Sequence, residues 1–309
     1  MSNLPKVSVC VTCYQQAELV DQCLESLLTQ TTTFPFEVIV SDDASSDHTP
    51  SVLARWASAF PDRLRVNINK PNLGAVRNYL LTHSLARGEY VAHMDGDDLA
   101  LPGKLQIQAD VLDRHSDVAI SAHATRIIDH DTMTGDERAY PELADMSDLI
   151  RLGTYFVHSS VMYRRSARIG FDSMPVEEVI DFRAHLEMAV HGRIHLSRKV
   201  LGAYRWHAAG ISKNPVFRAY IENAYEKTFE RARELGVAPE IVNAGMLRHR
   251  MSLAISRLVT GDYPEFRRLI SIPSKWMLIA QPKHILLYFF HPLCRLGSVQ
   301  DAIKRKVSV

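Results

Sequence analysis

The stretch Tyr90-Val91-Ala92-His93-Met94-Asp95-Gly96-Asp97-Asp98 reads as a short buried strand, Tyr90–Met94, that runs straight into three carboxylates within four residues. At an effective dielectric of about 20, two unit charges 4 Å apart repel by on the order of 4 kcal/mol. Such a turn calls for a cation. A hard divalent ion, Mg2+ or Mn2+, meets the requirement, because it takes one or two carboxylates together with substrate phosphate oxygens. A solvated acidic turn that caps the next helix is the plain alternative.

Upstream, the pattern of strand and helix repeats. Val7–Thr12 is a valine-rich strand, and Ala17–Thr29 puts Val20, Cys23, Leu24, Leu27 and Leu28 on one helical stripe. Phe36–Ser41 is the next strand and ends in Asp42-Asp43. Asp47 to Pro50 marks a helix start, with Thr49 the candidate N-cap and Leu53, Trp56 and Phe60 on the buried face. Leu64–Ile68 is a third strand, followed by Asn72-Leu73-Gly74 and a helix through Leu81. Strands separated by helices of this length imply right-handed βαβ units and a mostly parallel, Rossmann-like sheet flanked by helices, an α/β fold. Polar residues gather just after each strand, at Thr12 and Tyr14, Asp42 and Asp43, Asn72 and Gly74, and Asp95, Asp97 and Asp98. In open α/β sheets that edge is where ligands bind.

Downstream, Val118–Ala122 and Phe156–Tyr163 read as strands, Glu178–Val190 as a helix, and Arg193–Leu196 and Val200–Arg205 as two short β runs. Phe217–Leu235 and Pro239–Val259 are helical, and Pro264, Pro273, Pro282 and Pro292 break the C-terminal stretch into short pieces. The expected organisation is therefore a ligand-binding half over 1–110, a second half over 111–212 and a helical C-terminal extension over 213–309.

Composition narrows the function. Of 309 residues, 46% are hydrophobic and 23% charged, ordinary for a globular chain and unlike a disordered one. Lys+Arg 36 against Asp+Glu 35 leaves a net charge of +1, too little basic excess for a nucleic-acid binder. Cys10 and Cys13 have a C-x-x-C spacing, but they lie in a strand with no second thiol pair or nearby His, so with Cys23 and Cys294 they read as small residues in a reducing compartment. The chain enters its first strand without a signal peptide, and no run of about 18 apolar residues exists to span a bilayer. The expected location is cytoplasmic. The short apolar runs Trp276–Ile279 and Ile285–Phe290, bordered by Lys and Arg, leave two readings of 273–309 open: a peripheral anchor on the inner face of the cytoplasmic membrane, or packing within a homo-oligomer.

Four segments, Val7–Tyr14, Asp42–Thr49, Asn72–Asn78 and Asp95–Leu105, in this order and spacing, resemble the signature of glycosyltransferase family 2, inverting nucleotide-sugar transferases with a GT-A fold. The resemblance covers residues 5 to about 212. It implies that Thr12 and Tyr14 border a nucleobase, with Asp43 accepting from the base, Asp42 close by and Arg77, on the helix after Asn72-Leu73-Gly74, facing it. Asp95 and Asp97 form the D-x-D pair, in which one carboxylate holds the ribose and another the metal; whether Asp97 or Asp98 is the direct ligand stays open. Gln15 stands where the family commonly has Asn. Asp181 matches the family's general base, with Ile180 in place of a Glu, and partial desolvation beside Ile180 is expected to raise its basicity. Glu177 and Glu178 are the nearby alternatives. Tyr204-Arg205-Trp206-His207 resembles the closing segment, giving Arg205 a phosphate and His207 the metal or diphosphate, while His158-Ser159-Ser160 falls on the acceptor side.

The resemblance implies a transferase dependent on Mn2+ or Mg2+ that moves a sugar from a nucleotide-sugar donor, a UDP-sugar first, to a saccharide or lipid-linked acceptor in surface polysaccharide or glycoconjugate synthesis. A non-catalytic nucleotide-sugar-binding or scaffold protein on the same fold is the rival reading. A nucleotidyltransferase is disfavoured, because Cys13-Tyr14-Gln15-Gln16 lacks the glycines and cation of its phosphate loop.

Overall fold

The computed structural model describes residues 4–128, 140–169, 174–205 and 215–271. The chain divides into two compact units, Met1–Met146 with Thr154–Thr228, and Ser147–Gly153 with Phe229–Val309.

In the first unit, β1 (Val7–Cys13), β2 (Phe36–Asp42), β3 (Leu64–Ile68) and β4 (Tyr90–Asp95) form a parallel sheet in the order β3-β2-β1-β4. The connecting helices are α1 (Ala17–Leu28), α2 (Thr49–Ala59) and α3 (Ala75–Ser84). Parallel strands covered on both faces carry continuous apolar runs, and Val7, Val9, Val11, Val38 and Val40 are buried in one cluster with Leu24, Leu27 and Leu53. Burying each of the larger aliphatic side chains contributes roughly 1.5–3 kcal/mol. Because β1, β2 and β4 run the same way and end level, the turns after Cys13, Asp42 and Asp95 share one edge of the sheet.

Beyond β4 the sheet becomes mixed. The strands β5 (Leu99–Ala100), β6 (Val118–Ile128), β7 (Leu143–Ala144), β8 (Met162–Arg164) and β9 (Arg193–Arg205) follow, with α4 (Lys104–Arg114), α5 (Met146–Leu152) and α6 (Asp181–Ala189) between them. β8 lies antiparallel between β4 and β6, β9 pairs parallel with β6, and β5 and β7 pair antiparallel with β9.

Several boundaries differ from those expected. Phe156–Tyr163 is not a strand: a 3-10 turn covers His158–Ser160 before β8 begins. The Ser160 hydroxyl donates to the Val157 carbonyl at 2.6 Å, the kind of local side-chain bond by which serine competes with a ladder. The two short β runs are one strand, β9, whose pairing with β6 shifts register at His123/Ala124 and Ala124/Thr125. At α2, Asp47 rather than Thr49 serves the helix start, accepting from Thr49 N–H at 2.9 Å, while Thr49 Oγ1 accepts from Gln16 N–H.

α7 (Pro215–Glu234) comes next, with Tyr220 donating to the Val176 and Val179 carbonyls and so holding the approach to α6. In the second unit, α8 (Pro239–Thr260) packs Leu247, Met251, Ala254 and Leu258 against Phe266, Leu269 and Ile270 of α9 (Tyr263–Ile270). Among the described residues no helix is long and apolar enough to cross a membrane. His207, Cys294 and the apolar runs of 273–309 lie outside the described residues.

Candidate active site

Two acidic turns stand on the carboxyl edge of the parallel sheet, and they are built differently. Asp42 is fully buried: Oδ1 accepts from the Ser45 hydroxyl and Oδ2 from Ser45 N–H at 3.0 Å. Asp43, also buried, accepts from Asn69 Nδ2 at 3.0 Å, Leu73 N–H at 2.8 Å and Gly74 N–H at 2.8 Å. Asn72 completes the clasp, donating to the Asp43 carbonyl at 2.7 Å and accepting from Gly74 N–H. Both carboxylates expected at a nucleobase are thus engaged in folding their own loops. A carboxylate offers about four lone-pair positions, and three of Asp43's are filled from within the chain.

Around this turn Tyr14, Asn72, Gly74 and Arg77 are exposed or half-buried, and Thr12 is half-buried. Thr12 gives its carbonyl to Gly96 N–H at 2.9 Å, which ties the first strand's turn to the second acidic turn. Gln15 has φ +51, the left-handed region that Asn tolerates better than Gln. The loop nevertheless closes, because Gln15 N–H donates to Ser45 Oγ at 2.7 Å and its amide reaches Tyr14 Oη and Ser46 Oγ.

The second turn holds its carboxylates under tension. Gly96 is required by proximity: a Cβ there would lie 2.9 Å from Cys13 Cβ and 3.0 Å from the Thr12 carbonyl oxygen. Asp95 keeps 43% of its side-chain surface accessible. Its Oδ1 accepts from His93 Nε2 at 3.1 Å, its Oδ2 from Ser159 Oγ at 3.1 Å, and its own N–H donates back to Ser159 Oγ. Desolvation in this recess works upward on the Asp95 pKa, but His93 and the Ser159 hydroxyl outweigh it and hold the group well below the usual carboxylate range. Asp98 is the opposite case. It is only 1% exposed, Oδ1 accepts from Arg205 N–H at 2.9 Å, and Oδ2 is buried with no hydrogen-bond partner among the described residues. Burial first, and the neighbouring Asp95 charge second, push its pKa up to about 8.

Arg205, expected at a phosphate, braces the acidic turn in this structure. Its Nε donates to the Asp97 carbonyl at 3.1 Å and its Nη2 to Gln22 Oε1 at 2.9 Å, so it pins the acidic turn from β9. Beneath the turn lies Lys104, fully buried at the start of α4, with Nζ on His123 Nε2 at 2.9 Å and on the Ser159 carbonyl. Burial pulls its pKa down to about 7, against the attraction of Asp98. Part of the positive charge that the carboxylates require therefore comes from this chain. Lys104 was legible as a residue of the Asp95–Leu105 segment, but its burial was not.

Asp181 is the first residue of α6, and its side chain is 61% exposed. Ile180 does not cover it, so the expected desolvation is absent. Among the described residues, His158 stands beside it, with Nε2 3.8 Å from Asp181 Oδ1. Of the alternatives, Glu178 is paired with Arg183 at 2.8 Å, and Glu177 is exposed. Ser159 lies under Asp95 rather than on an acceptor surface, and Ser160 bonds to its own turn. His158 belongs to a group of buried imidazoles that sequence reasoning did not assemble. His158 Nδ1 meets His185 Nε2 at 3.0 Å, His93 Nδ1 meets His83 Nε2 at 3.0 Å, and His83 Nδ1 meets Tyr163 Oη at 2.8 Å. One signal was available: His93 stands two residues before Asp95 on a strand, hence on the same face.

The family description "Glycosyl transferase family 2" matches residues 8–169, which contain both acidic turns. The chain belongs to glycosyltransferase family 2. An uncharacterized protein of Mycobacterium tuberculosis, Rv1520, is 35% identical over 204 residues, covering 64% of this chain and 58% of that protein. The chain thus spans less than two thirds of that relative's length. Among solved structures, S. aureus TarS 1-349 in complex with UDP superposes with a TM-score of 0.67 at 17% identity, covering 98% of this chain and 91% of TarS. The mannosyltransferase PcManGT from Pyrobaculum calidifontis, solved with GDP-Man and Mn2+, gives a TM-score of 0.61 at 19% identity over 98% and 86% of the two chains. At these identities the likeness speaks for the fold, which is of the GT-A type.

A divalent ion fits this family 2 site on the chemistry of its donors. Among the described residues no three His, Cys, Asp or Glu side chains form a ready cage. A hard ion that shares substrate phosphates needs only one or two carboxylates. Asp98 supplies a buried oxygen without a partner, and Asp95 and Asp97 keep accessible surface.

Proposed function

We propose that this protein is a metal-assisted, inverting glycosyltransferase whose donor is a nucleoside diphosphate sugar, UDP-linked in the first instance, and whose acceptor is a hydroxyl of a saccharide or lipid-linked saccharide. The observation that carries the reading is the acidic turn Asp95–Asp98, left with a buried, unpartnered carboxylate oxygen on the ligand-binding edge of a parallel sheet.

Asp97 and Asp98, with Asp95, would hold Mn2+ or Mg2+, which neutralises the charge of the departing diphosphate. Thr12, Tyr14 and Arg77 line the donor side, and the clasped loop of Asp42, Asp43, Asn72 and Gly74 presents its backbone there. Asp181 takes the proton of the acceptor hydroxyl. That oxygen bonds to the anomeric carbon as the bond from carbon to diphosphate oxygen breaks, and the electron pair leaves with the nucleoside diphosphate. One displacement inverts the anomeric centre. The openness of Asp181 suits this role, because the base must reach a hydroxyl brought in from solvent. His207 remains a proposed partner of the ion or the diphosphate.

Hydrolysis of UDP-sugars in the presence of Mn2+, read as released UDP, tests the reading. Turnover that disappears in Asp97→Ala and falls about 10²–10⁴-fold in Asp181→Asn, the span of general-base assistance, is expected. UDP with Mn2+ at 100 times its dissociation constant should also stabilise the fold by roughly 2.7 kcal/mol. No thermal shift with any nucleoside diphosphate and no hydrolysis of any donor would end the proposal. For residues 273–309 we propose attachment to an anionic membrane surface, with self-association as the other outcome; pelleting with liposomes, compared with a truncation near Ile272, separates the two.

A further inference from the structure

We infer that His158 is a positioning residue for Asp181: its Nε2–H aims the Asp181 carboxylate, and its ring, packed against His93, fixes that carboxylate relative to the acidic turn at Asp95. The inference rests on the reading of Asp181 as proton acceptor.

An exposed carboxylate in the first turn of a helix has many orientations, and a base that must meet a hydroxyl in line needs one. What restrains it is His158, only 9% exposed in its side chain and fixed on three sides by ring contacts. Its centroid lies 4.1 Å from His93, 5.3 Å from Tyr79 and 5.1 Å from His185, and His185 in turn packs on Phe156 at 4.8 Å.

The hydrogen bonds assign the protons. Asp181 can only accept, so a hydrogen bond from His158 needs the proton on Nε2. His158 Nδ1 is then an acceptor, and His185 Nδ1, buried with no partner among the described residues, is the bare lone pair at the end of the hydrogen-bond chain. The proton therefore sits on His185 Nε2 and is donated to His158 Nδ1 across 3.0 Å. With Nδ1 accepting, the neutral His158 ring carries its own proton on Nε2, the atom 3.8 Å from Asp181 Oδ1. Burial keeps both rings neutral, pushing the pKa of His185 well below the usual range and that of His158 down to about 4.

On the far side, the Asp95 carboxylate can only accept, so His93 Nε2 donates to it, and His93 Nδ1 lies 3.0 Å from His83 Nε2. The packed pair His158 and His93 thus stands between a carboxylate of the donor site and the proposed base, with an N–H aimed at each. A 3.8 Å separation is longer than a hydrogen bond, as is common for catalytic contacts before substrate binds. In the transfer itself the acceptor's proton goes to Asp181, and His158 keeps its own.

The test is Mn2+-dependent hydrolysis of UDP-glucose and UDP-N-acetylglucosamine by the full chain and by His158→Phe, His158→Gln, Asp181→Asn and the double variant His158→Phe/Asp181→Asn. His158→Phe should lower kcat about 10²-fold, the cost of a misplaced group. KM for the donor and the affinity for UDP with Mn2+ should change less than about twofold, within the scatter of uninvolved positions. His158→Gln, whose amide N–H can approach the place of Nε2, should recover most of the loss. In the Asp181→Asn background, His158→Phe should cost nothing more. Unchanged kcat, losses that add, or UDP affinity falling with turnover would overturn the inference. If the wild-type chain turns over no donor, the transferase reading fails, and the proton assignment still decides this one. Two-bond 15N–1H spectra should show His158 protonated on Nε2, with a resonance that moves in Asp181→Asn. Protonation on Nδ1, or indifference to Asp181, would refute it.

Discussion

The turns after β2 and β4 begin from similar composition and the same place in the fold, since each follows a buried parallel strand with adjacent carboxylates. Their surroundings separate them. Behind the first stand asparagines: Asn69 donates to Asp43, Asn67 and Asn78 meet Asn69, and Asn72 closes the loop, so the carboxylates are satisfied from within. Behind the second stand histidines and one lysine, and Asp98 is left with an orphaned oxygen and a raised pKa. Acidic residues at a strand end thus mean little until their partners are counted. A satisfied carboxylate builds a loop, and an unsatisfied one waits for a ligand.

The sharpest test of this contrast exchanges the two losses. Asp43→Ala leaves the Leu73 and Gly74 N–H groups and the Asn69 amide without their acceptor, and should lower the unfolding free energy by about 4 kcal/mol in denaturant titrations. Asp97→Ala should cost clearly less than Asp43→Ala in that free energy, and instead lose at least about 10² in Mn2+-dependent turnover. If Asp43→Ala folds as well as wild type and Asp97→Ala does not, the contrast is wrong.

Acid should expose the histidine layer and spare the asparagine layer. The pKa values of His83, His123 and His185 are pushed well below the ordinary value, by burial above all. Below about pH 6.5 the unfolded chain takes protons that the folded one refuses, so stability falls as pH falls, by about 1.4 kcal/mol per pH unit for each such group. Unfolding midpoints measured between about pH 7 and 5 should show this slope, and His185→Phe should remove about one group's share. A midpoint indifferent to pH over that range would contradict the neutral, buried assignment. The smallest effect belongs to the first turn: Gln15→Gly, relieving a left-handed φ, should stabilise by less than about 1 kcal/mol while keeping the N–H donated to Ser45.

The first half of the fold was legible because its strands and helices announce themselves locally, in the valine run of β1 and the stripe Val20, Cys23, Leu24, Leu27 and Leu28 of α1. The second half was read less well where local pattern and tertiary pairing diverge. Phe156–Tyr163 looks extended, but Ser159 and Ser160 turn to bond Asp95 and Val157, and β9 absorbs the polar Arg198-Lys199 as a bulge, because the β6 ladder holds Ser197 on one side and Val200 on the other. The helix expected from Glu178 begins at Asp181 instead, and the desolvation expected from Ile180 failed, since a sequence neighbour at an N-terminus need not be a spatial cover.

The order of its residues alone determined that this chain builds a parallel α/β sheet with acidic groups at its carboxyl edge, because strand periodicity, helix stripes and turn chemistry are short-range properties. Only the tertiary structure decided which of those carboxylates remain available. Ser159 and Arg205 bring hydrogen bonds to the acidic turn from separate elements, and such satisfaction is settled largely by what arrives from a distance rather than by what adjoins in the chain.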